Sequence, residues 1–478
     1  MIFSSIEFLI FFVVVFSLYY FVMKEKTKLQ NILLLIASYV FYAWANWRIL
    51  PLLALTTAGF YGLGIAAFEA QTEKRKSLFT LLGIVFGVGT LLYFKYFNFF
   101  ISSFKDLFEL FGLQTNWHTF KIIVPIGISF YTFRLLSYII DIRRDDIEPT
   151  RNIIDFATYV AFFPCILSGP IDRPATLIPQ LKRKRIFDFS FTVDGMRQVL
   201  WGLFKKVVIA DNCAVYVDHV FESFQLQSGG TILLAAVIFS VQIYADFSGY
   251  SDMAIGIAKI LGFKVTRNFD YPFFAQNIAE FWRKWHISLT SWLTDYIFTP
   301  LNFIWRKWRK WGMILAIIIN FILCGLWHGD KWTYILWGFY HGLLFIPLIF
   351  SGTISKKSEI KTYKWGFPKP KVLLNILLTF ALVAAGNLIT RANSIGQAFE
   401  YLWGITNRDW FSIAPGWRQI TCFIAVMLVV EWKQQQKQHG LDLSRINSHV
   451  LKFVIYYALI AAIFIFGTQA ETFIYFQF

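Results

Sequence analysis

The chain has 478 residues, 57% hydrophobic and 15% charged, with 45 Lys and Arg against 29 Asp and Glu for a formal net charge of +16. The apolar residues gather in blocks close to the roughly 20 residues that cross a bilayer as helix, which excludes an ordinary soluble globular domain. The basic excess lies in short clusters between these blocks, as the positive-inside rule requires, so membrane topology and not nucleic-acid binding explains it.

In chain order the clearest blocks are 6–23, 31–46, 50–69, 78–101, 122–140, 153–168, 231–253, 312–327, 332–350, 371–390, 418–431 and 452–467. About eleven to thirteen helices follow, some of them incomplete crossings. Only helices or closed barrels satisfy the backbone inside a bilayer, and runs this continuously apolar argue for helices. The expected fold class is all-α, a polytopic helical membrane protein, one integral-membrane domain over 1–478. Within it a core of about 120–350 precedes C-terminal helices at about 371–467, with the basic stretch 355–371 between them. The first block lacks a basic n-region and a small-residue cleavage pattern, so it reads as a retained span.

Lys24, Lys26 and Lys28 place the first loop in the cytoplasm; Lys74, Arg75 and Lys76 do so for the third, and Arg143 and Arg144 for the fifth. A full crossing at 153–168 would export Lys182, Arg183, Lys184 and Arg185. The segment 153–170, broken by Pro164, Gly169 and Pro170, is therefore predicted to be re-entrant. Cys165, Cys213, Cys324 and Cys422 show no metal or disulfide spacing and are expected as small buried core residues. Pro125-Ile126-Gly127-Ile128-Ser129-Phe130 is a second broken segment, tolerated at membrane depth where the chain is buried or lines a wet cavity.

Three segments carry chemistry. In Gln242 to Asp252 an apolar helix turns polar, with Asp246, Ser248, Tyr250 and Asp252; the two carboxylates need partners at this depth, and Arg283 is one candidate. Over 277–299, Ile278, Phe281, Trp282, Trp285, Leu289, Trp292, Leu293 and Tyr296 recur at three and four to make one helical stripe. Glu280, Arg283, Lys284, Ser291 and Asp295 fall opposite, and His286 at the margin. Taken alone, this pattern is better accounted for by an interfacial amphipathic helix with aromatics at the headgroups. In Leu323-Cys324-Gly325-Leu326-Trp327-His328-Gly329 an imidazole ends an apolar run, and an imidazole kept from water is neutral near pH 7 and able to accept a proton. A general base requires that property. Asp330 either orients the ring or caps the turn. His341 lies thirteen residues on, among Trp332, Trp337 and Tyr340, which read as core or interface aromatics.

Several stretches in order resemble the membrane-bound O-acyltransferases, and within them the bacterial alginate and peptidoglycan O-acetyltransferase branch. They are Val124 to Phe130; Phe162-Phe163-Pro164 through Ser168-Gly169-Pro170; Gly202-Leu203-Phe204-Lys205-Lys206; Asp246-Phe247-Ser248-Gly249-Tyr250; Asn268-Phe269; Phe281 to Leu289; Trp327-His328-Gly329; and the closing Phe473 to Phe478. The resemblance implies a central tunnel, His328 and His286 as catalytic residues, and Asp246, Ser248, Tyr250, Asp252, Trp282, Arg283, Asn320 and Trp327 as substrate or tunnel candidates. It implies transfer of an acetyl group from a cytoplasmic thioester donor, acetyl-CoA or another acyl thioester, toward an extracytoplasmic polysaccharide. No bound cofactor or metal is implied. The implied setting is the bacterial inner membrane, with a periplasmic acetyltransferase or carrier as partner. Asp330 and Lys331 depart from the small residue that family members often carry after Trp-His-Gly. D-alanyl transfer to teichoic acid is the nearer alternative; a lipid or sugar transporter is the more distant one, and the chain shows no related halves that would favour it.

Overall fold

Seven helices among the described residues are long and apolar enough to cross a membrane by length and composition: Trp47–Phe68, Glu73–Leu110, Gly229–Ile260, Arg306–His328, Trp332–Phe350, Pro370–Arg391 and His449–Phe466. Other apolar blocks form shorter helices, among them Ile6–Ser17, Thr27–Ala43, Ile128–Arg143 and Trp417–Lys433. The structure is a computed structural model that describes residues 1–113, 120, 122–356, 360, 362–363 and 366–468; the closing Phe473–Phe478 stretch lies outside them. Among the described residues the only β feature is an isolated bridge between Thr362 and Pro368, so the protein is an all-helical, multi-pass membrane protein. Helix starts follow local chemistry: Ser5, Thr72, Asn152, Ser394 and Ser448 each accept a first-turn backbone N–H.

The chain divides into two compact units, one of residues 1–195 with 257–266, the other of 196–256 with 267–478. The first unit is built around breaks in helices. The predicted re-entrant segment is a nine-residue helix, Ile153–Ala161, followed by buried non-helical backbone and a second nine-residue helix, Pro174–Lys182. At 1.5 Å per residue either helix covers about 13 Å, less than half of the hydrocarbon core. Arg134, 1% exposed, holds the break by donating to the carbonyls of Tyr159 at 3.2 Å and Pro170 at 3.0 Å. Gly127 starts the Ile128–Arg143 helix at φ 76°, where a Cβ would meet the Ile166 carbonyl oxygen at 2.5 Å. Thus the two broken motifs are one packed feature.

The basic loops of this unit meet as the charge pattern requires. Lys184 pairs with Glu25 at 2.7 Å, Arg185 donates to the Thr27 carbonyl at 3.3 Å and to Asn31 at 2.5 Å, and Lys76 pairs with Asp145 at 2.6 Å. Residues 182–185 therefore lie beside the first loop. Cys165, Cys213 and Cys324 are buried as expected, whereas Cys422 is exposed and not the core residue that its apolar block suggested.

In the second unit the Gly-Leu-Phe-Lys-Lys and Asp-Phe-Ser-Gly-Tyr motifs cross at their glycines. A Cβ on Gly202 would sit 2.5 Å from the Gly249 carbonyl oxygen, and one on Gly249 2.7 Å from that of Gly202. This backbone contact brings Lys205 to Asp252 at 2.7 Å and Lys206 to Asp246 at 2.9 Å. All four are within buried or nearly buried positions, where removing one partner typically costs about 3–5 kcal/mol. Arg283, expected as a partner of these carboxylates, is instead exposed and donates to the Ile354 carbonyl at 3.0 Å.

Single cysteines at positions 184 and 25 are expected to react with a membrane-impermeant maleimide from the same side of the membrane. Opposite accessibility would contradict the incomplete crossing.

Candidate active site

The stretch 277–299 is not one helix. Asn277 caps Ile278–Lys284 by accepting from Glu280 N at 2.8 Å, and Trp285 then leaves the helix in an extended conformation. His286 follows at φ 45°, ψ 53°, and opens Ile287–Leu293. A non-glycine residue held there costs about 1–3 kcal/mol and persists only when its surroundings over-determine it. The break carries His286 from the margin of the stripe to 1% exposure. Glu280, expected on the polar face, is buried too and pairs with Lys284 at 2.9 Å.

Asn268 over-determines the break. Its carbonyl accepts the backbone N–H of Ile287 at 2.8 Å, while its side-chain Oδ1 accepts from Ser288 N at 3.3 Å and Ser288 Oγ at 2.9 Å. Its Nδ2 donates to Ser251 Oγ at 3.0 Å. With the amide so oriented, His286 Nδ1 lies 3.1 Å from an oxygen and must carry the hydrogen. Nε2 is then the nitrogen with the lone pair. Burial, with a smaller contribution from His328, pushes the His286 imidazole well below its ordinary range, so the ring is neutral at pH 7.

His328 is the last residue of the helix Arg309–His328 and is 8% exposed. Trp327 packs edge-on against both histidines, 5.7 Å from His286 and 5.0 Å from His328 between ring centroids. Trp337 lies 5.2 Å from His328 and 4.9 Å from His341. Trp282 donates its Nε1–H to His341 Nδ1 at 3.3 Å, which fixes His341 with its hydrogen on Nε2. Three imidazoles are thus interleaved with three indoles.

A cavity of about 40 Å³ opens on this array; His328, Trp282, Trp337, His341, Asn387 and Thr390 are among its lining residues. His286 is not among them. Asn268 instead lines a second cavity of about 20 Å³ with Lys205, Ser248, Ser251, Asp252 and Glu431. The tunnel candidates therefore divide: Trp282 with His328 at the first, Ser248 and Asp252 at the second. Asp246 is taken up in its lysine pair, Tyr250 is buried, and Trp327 joins the two histidines. Asn320 is half-buried and lines neither cavity, and Arg283 faces outward. Asp330 is exposed. Asn268, His341 and Asn387 were not singled out as site residues in the sequence; for Asn268 the signal lay in the Asn-Phe motif, for His341 in its spacing from His328 across a helical hairpin.

The match to known proteins is extensive. The model of the membrane-bound O-acyltransferase family matches residues 8–389. The chain is 39% identical over 84% of its length to a protein named "Probable alginate O-acetylase AlgI" from Pseudomonas aeruginosa, covering 74% of that protein. It is 29% identical over 96% of its length to a peptidoglycan O-acetyltransferase of Helicobacter pylori, covering 86% of it. A teichoic acid D-alanyltransferase of Bacillus subtilis is 31% identical over 55% of the chain and 67% of its own length.

As pH falls below about 6.5 the unfolded chain protonates His286 while the folded chain does not, so this residue makes stability decline in that window. Asn268→Asp places a carboxylate against Nδ1–H, which raises the folded value and flattens that decline in thermal unfolding measured in detergent across the window. An unchanged slope would contradict the assigned tautomer.

Proposed function

As a member of the membrane-bound O-acyltransferase family the chain is an O-acyltransferase, and we propose that it moves an acetyl group from a cytoplasmic thioester, acetyl-CoA, toward an extracytoplasmic polysaccharide. The lining of the His328 cavity carries this reading. Ile243, Phe281, Trp285 and Val383 supply apolar wall beside the histidines, and no described lining residue is Asp or Glu. A neutral acetyl group enters such a site without penalty. An alanyl group brings an ammonium, and burying it without a counter-charge is costly. This supports acetyl transfer over the D-alanyl transfer named for the Bacillus subtilis relative.

His328 is the base. A hydroxyl with a pKa far above 7 attacks a thioester poorly unless its proton leaves as the new C–O bond forms, and a positioned base contributes about 10²–10⁴ in rate. His328 takes that proton and returns it to the departing sulfur as the C–S bond breaks. His286 lies against the same indole, Trp327, as a second imidazole. The attacking hydroxyl belongs to an extracytoplasmic acetyltransferase or carrier, which leaves with the acetyl group as its ester and passes it to a hydroxyl of the polymer, regaining its own; the protein itself sits in the cytoplasmic membrane of a bacterium.

With radiolabelled acetyl-CoA and membrane vesicles, the wild type is expected to form base-labile ester, and His328→Ala to lower its rate by at least about 10²-fold at equal protein level. Wild-type ester formation in that variant would remove the assignment of His328. Label transfer from a D-alanyl carrier with none from acetyl-CoA would replace the donor.

A further inference from the structure

The His328 cavity holds more hydrogen-bond donors than the base needs. Trp337, His341 and Asn387 line it at 6%, 1% and 6% exposure. Among the described residues, Trp337 Nε1, His341 Nε2 and Asn387 Nδ2 have no hydrogen-bond partner. Buried N–H groups are nearly always satisfied, and each left over costs about 1–3 kcal/mol. Three around one small cavity need a common explanation.

Their placement is set by packing. Val383, Asn387 and Thr390 lie along one face of the helix Pro370–Arg391 and all reach the cavity. Gly386, on the same helix, lies under the His341 ring: a Cβ there would approach His341 Nε2 to 2.7 Å. His341 and Asn387 thus line the same cavity, with His341 Nε2 against the helix that carries Asn387. The tautomer of His341 is not free, because Nδ1 already accepts from Trp282. Trp337 packs on both His328 and His341, which keeps its indole nitrogen at the same wall.

We propose that Trp337 Nε1–H, His341 Nε2–H and Asn387 Nδ2–H form an oxyanion cradle for the acyl carbonyl attacked beside His328. The proposal rests on the acyl-transfer reading above. As the acceptor oxygen bonds to the thioester carbon, its proton goes to His328 and the carbonyl π pair moves onto oxygen, where the three N–H groups receive it. When the pair returns to re-form the carbonyl, the C–S bond breaks and the sulfur leaves with the proton from His328. Donors that are fixed before the charge develops stabilise it without reorganising. In the ground state the same donors meet a weaker acceptor, so their effect falls on turnover and not on donor binding.

The test uses three nearly isosteric substitutions in membrane vesicles with labelled acetyl-CoA: Trp337→Phe, Asn387→Leu and Asn387→Asp. Each neutral variant is expected to lower kcat by about 10²–10³-fold with KM for acetyl-CoA changed by no more than about threefold. Asn387→Asp, which places negative charge where the oxyanion forms, is expected to lower kcat further. Near-wild-type kcat in Trp337→Phe and Asn387→Leu, or losses confined to KM, would overturn the cradle. His328→Ala is run alongside: if it stays active the acyl-transfer base is wrong, whereas if it is inactive and the cradle variants are not, only the cradle fails. Should one variant fail to accumulate, the two at the other position and at His328 still decide.

Discussion

Backbone polar groups that leave a helix at membrane depth have no water to turn to, and each unsatisfied one costs several kcal/mol. Among the described residues, three such places are held by a buried polar side chain that reaches backbone groups there. Arg134 closes the break at 159–170, Asn31 accepts from Arg185 and donates to the Leu181 carbonyl at the end of the following helix, and Asn268 closes the break at 285–287. These three residues let the chain depart from continuous helix without leaving its backbone to lipid. The site exists because such departures are possible.

The break at His286 shows the trade most clearly. Its left-handed conformation costs about 1–3 kcal/mol, and a single net hydrogen bond returns about 0.5–1.5. Asn268 supplies a carbonyl acceptor for Ile287 and a side-chain oxygen for Ser288 and His286, so several bonds stand against one strained residue. The same oxygen that stabilises the strain also fixes which nitrogen of His286 bears hydrogen. Fold stability and proton chemistry therefore depend on one amide, and neither is adjustable without the other.

How much of this was legible in the sequence follows from what each signal is sensitive to. Apolar block length gave the all-helical membrane architecture, because lipid imposes that length on any crossing. The charge rule put residues 182–185 on the same side of the membrane as the first loop, and the pairing of Lys184 with Glu25 is consistent with that. His328 was visible because it ends its own apolar run. The kink at Trp285-His286 was not visible, since a three-and-four spacing continues through it and only the tertiary contact from Asn268 breaks it. Arg283 looked like the nearest cation to Asp246 and Asp252, but the close glycine crossing of Gly202 and Gly249 gives those carboxylates to Lys205 and Lys206 instead. Asn320 shares the helix of His328 and faces elsewhere, a matter of angle around the axis that composition does not resolve. Asn387 sits 59 residues beyond His328 in an ordinary apolar block, with nothing local to mark it.

The surroundings of His328 consist of neutral groups: imidazoles, indoles, an amide and hydrocarbon. In water such groups would be weak catalysts, because solvent already stabilises any charge that appears. In an enclosed site of low dielectric a fixed dipole acts on a developing charge far more strongly. A resident carboxylate or ammonium there would either pair with the histidine or hold its proton permanently. The charged Lys205 and Lys206 pairs lie away from the residues that line the His328 cavity, and on the proposed mechanism this leaves the reaction's own charge as the one to be stabilised there, the condition under which a neutral histidine can act first as base and then as acid on the same proton.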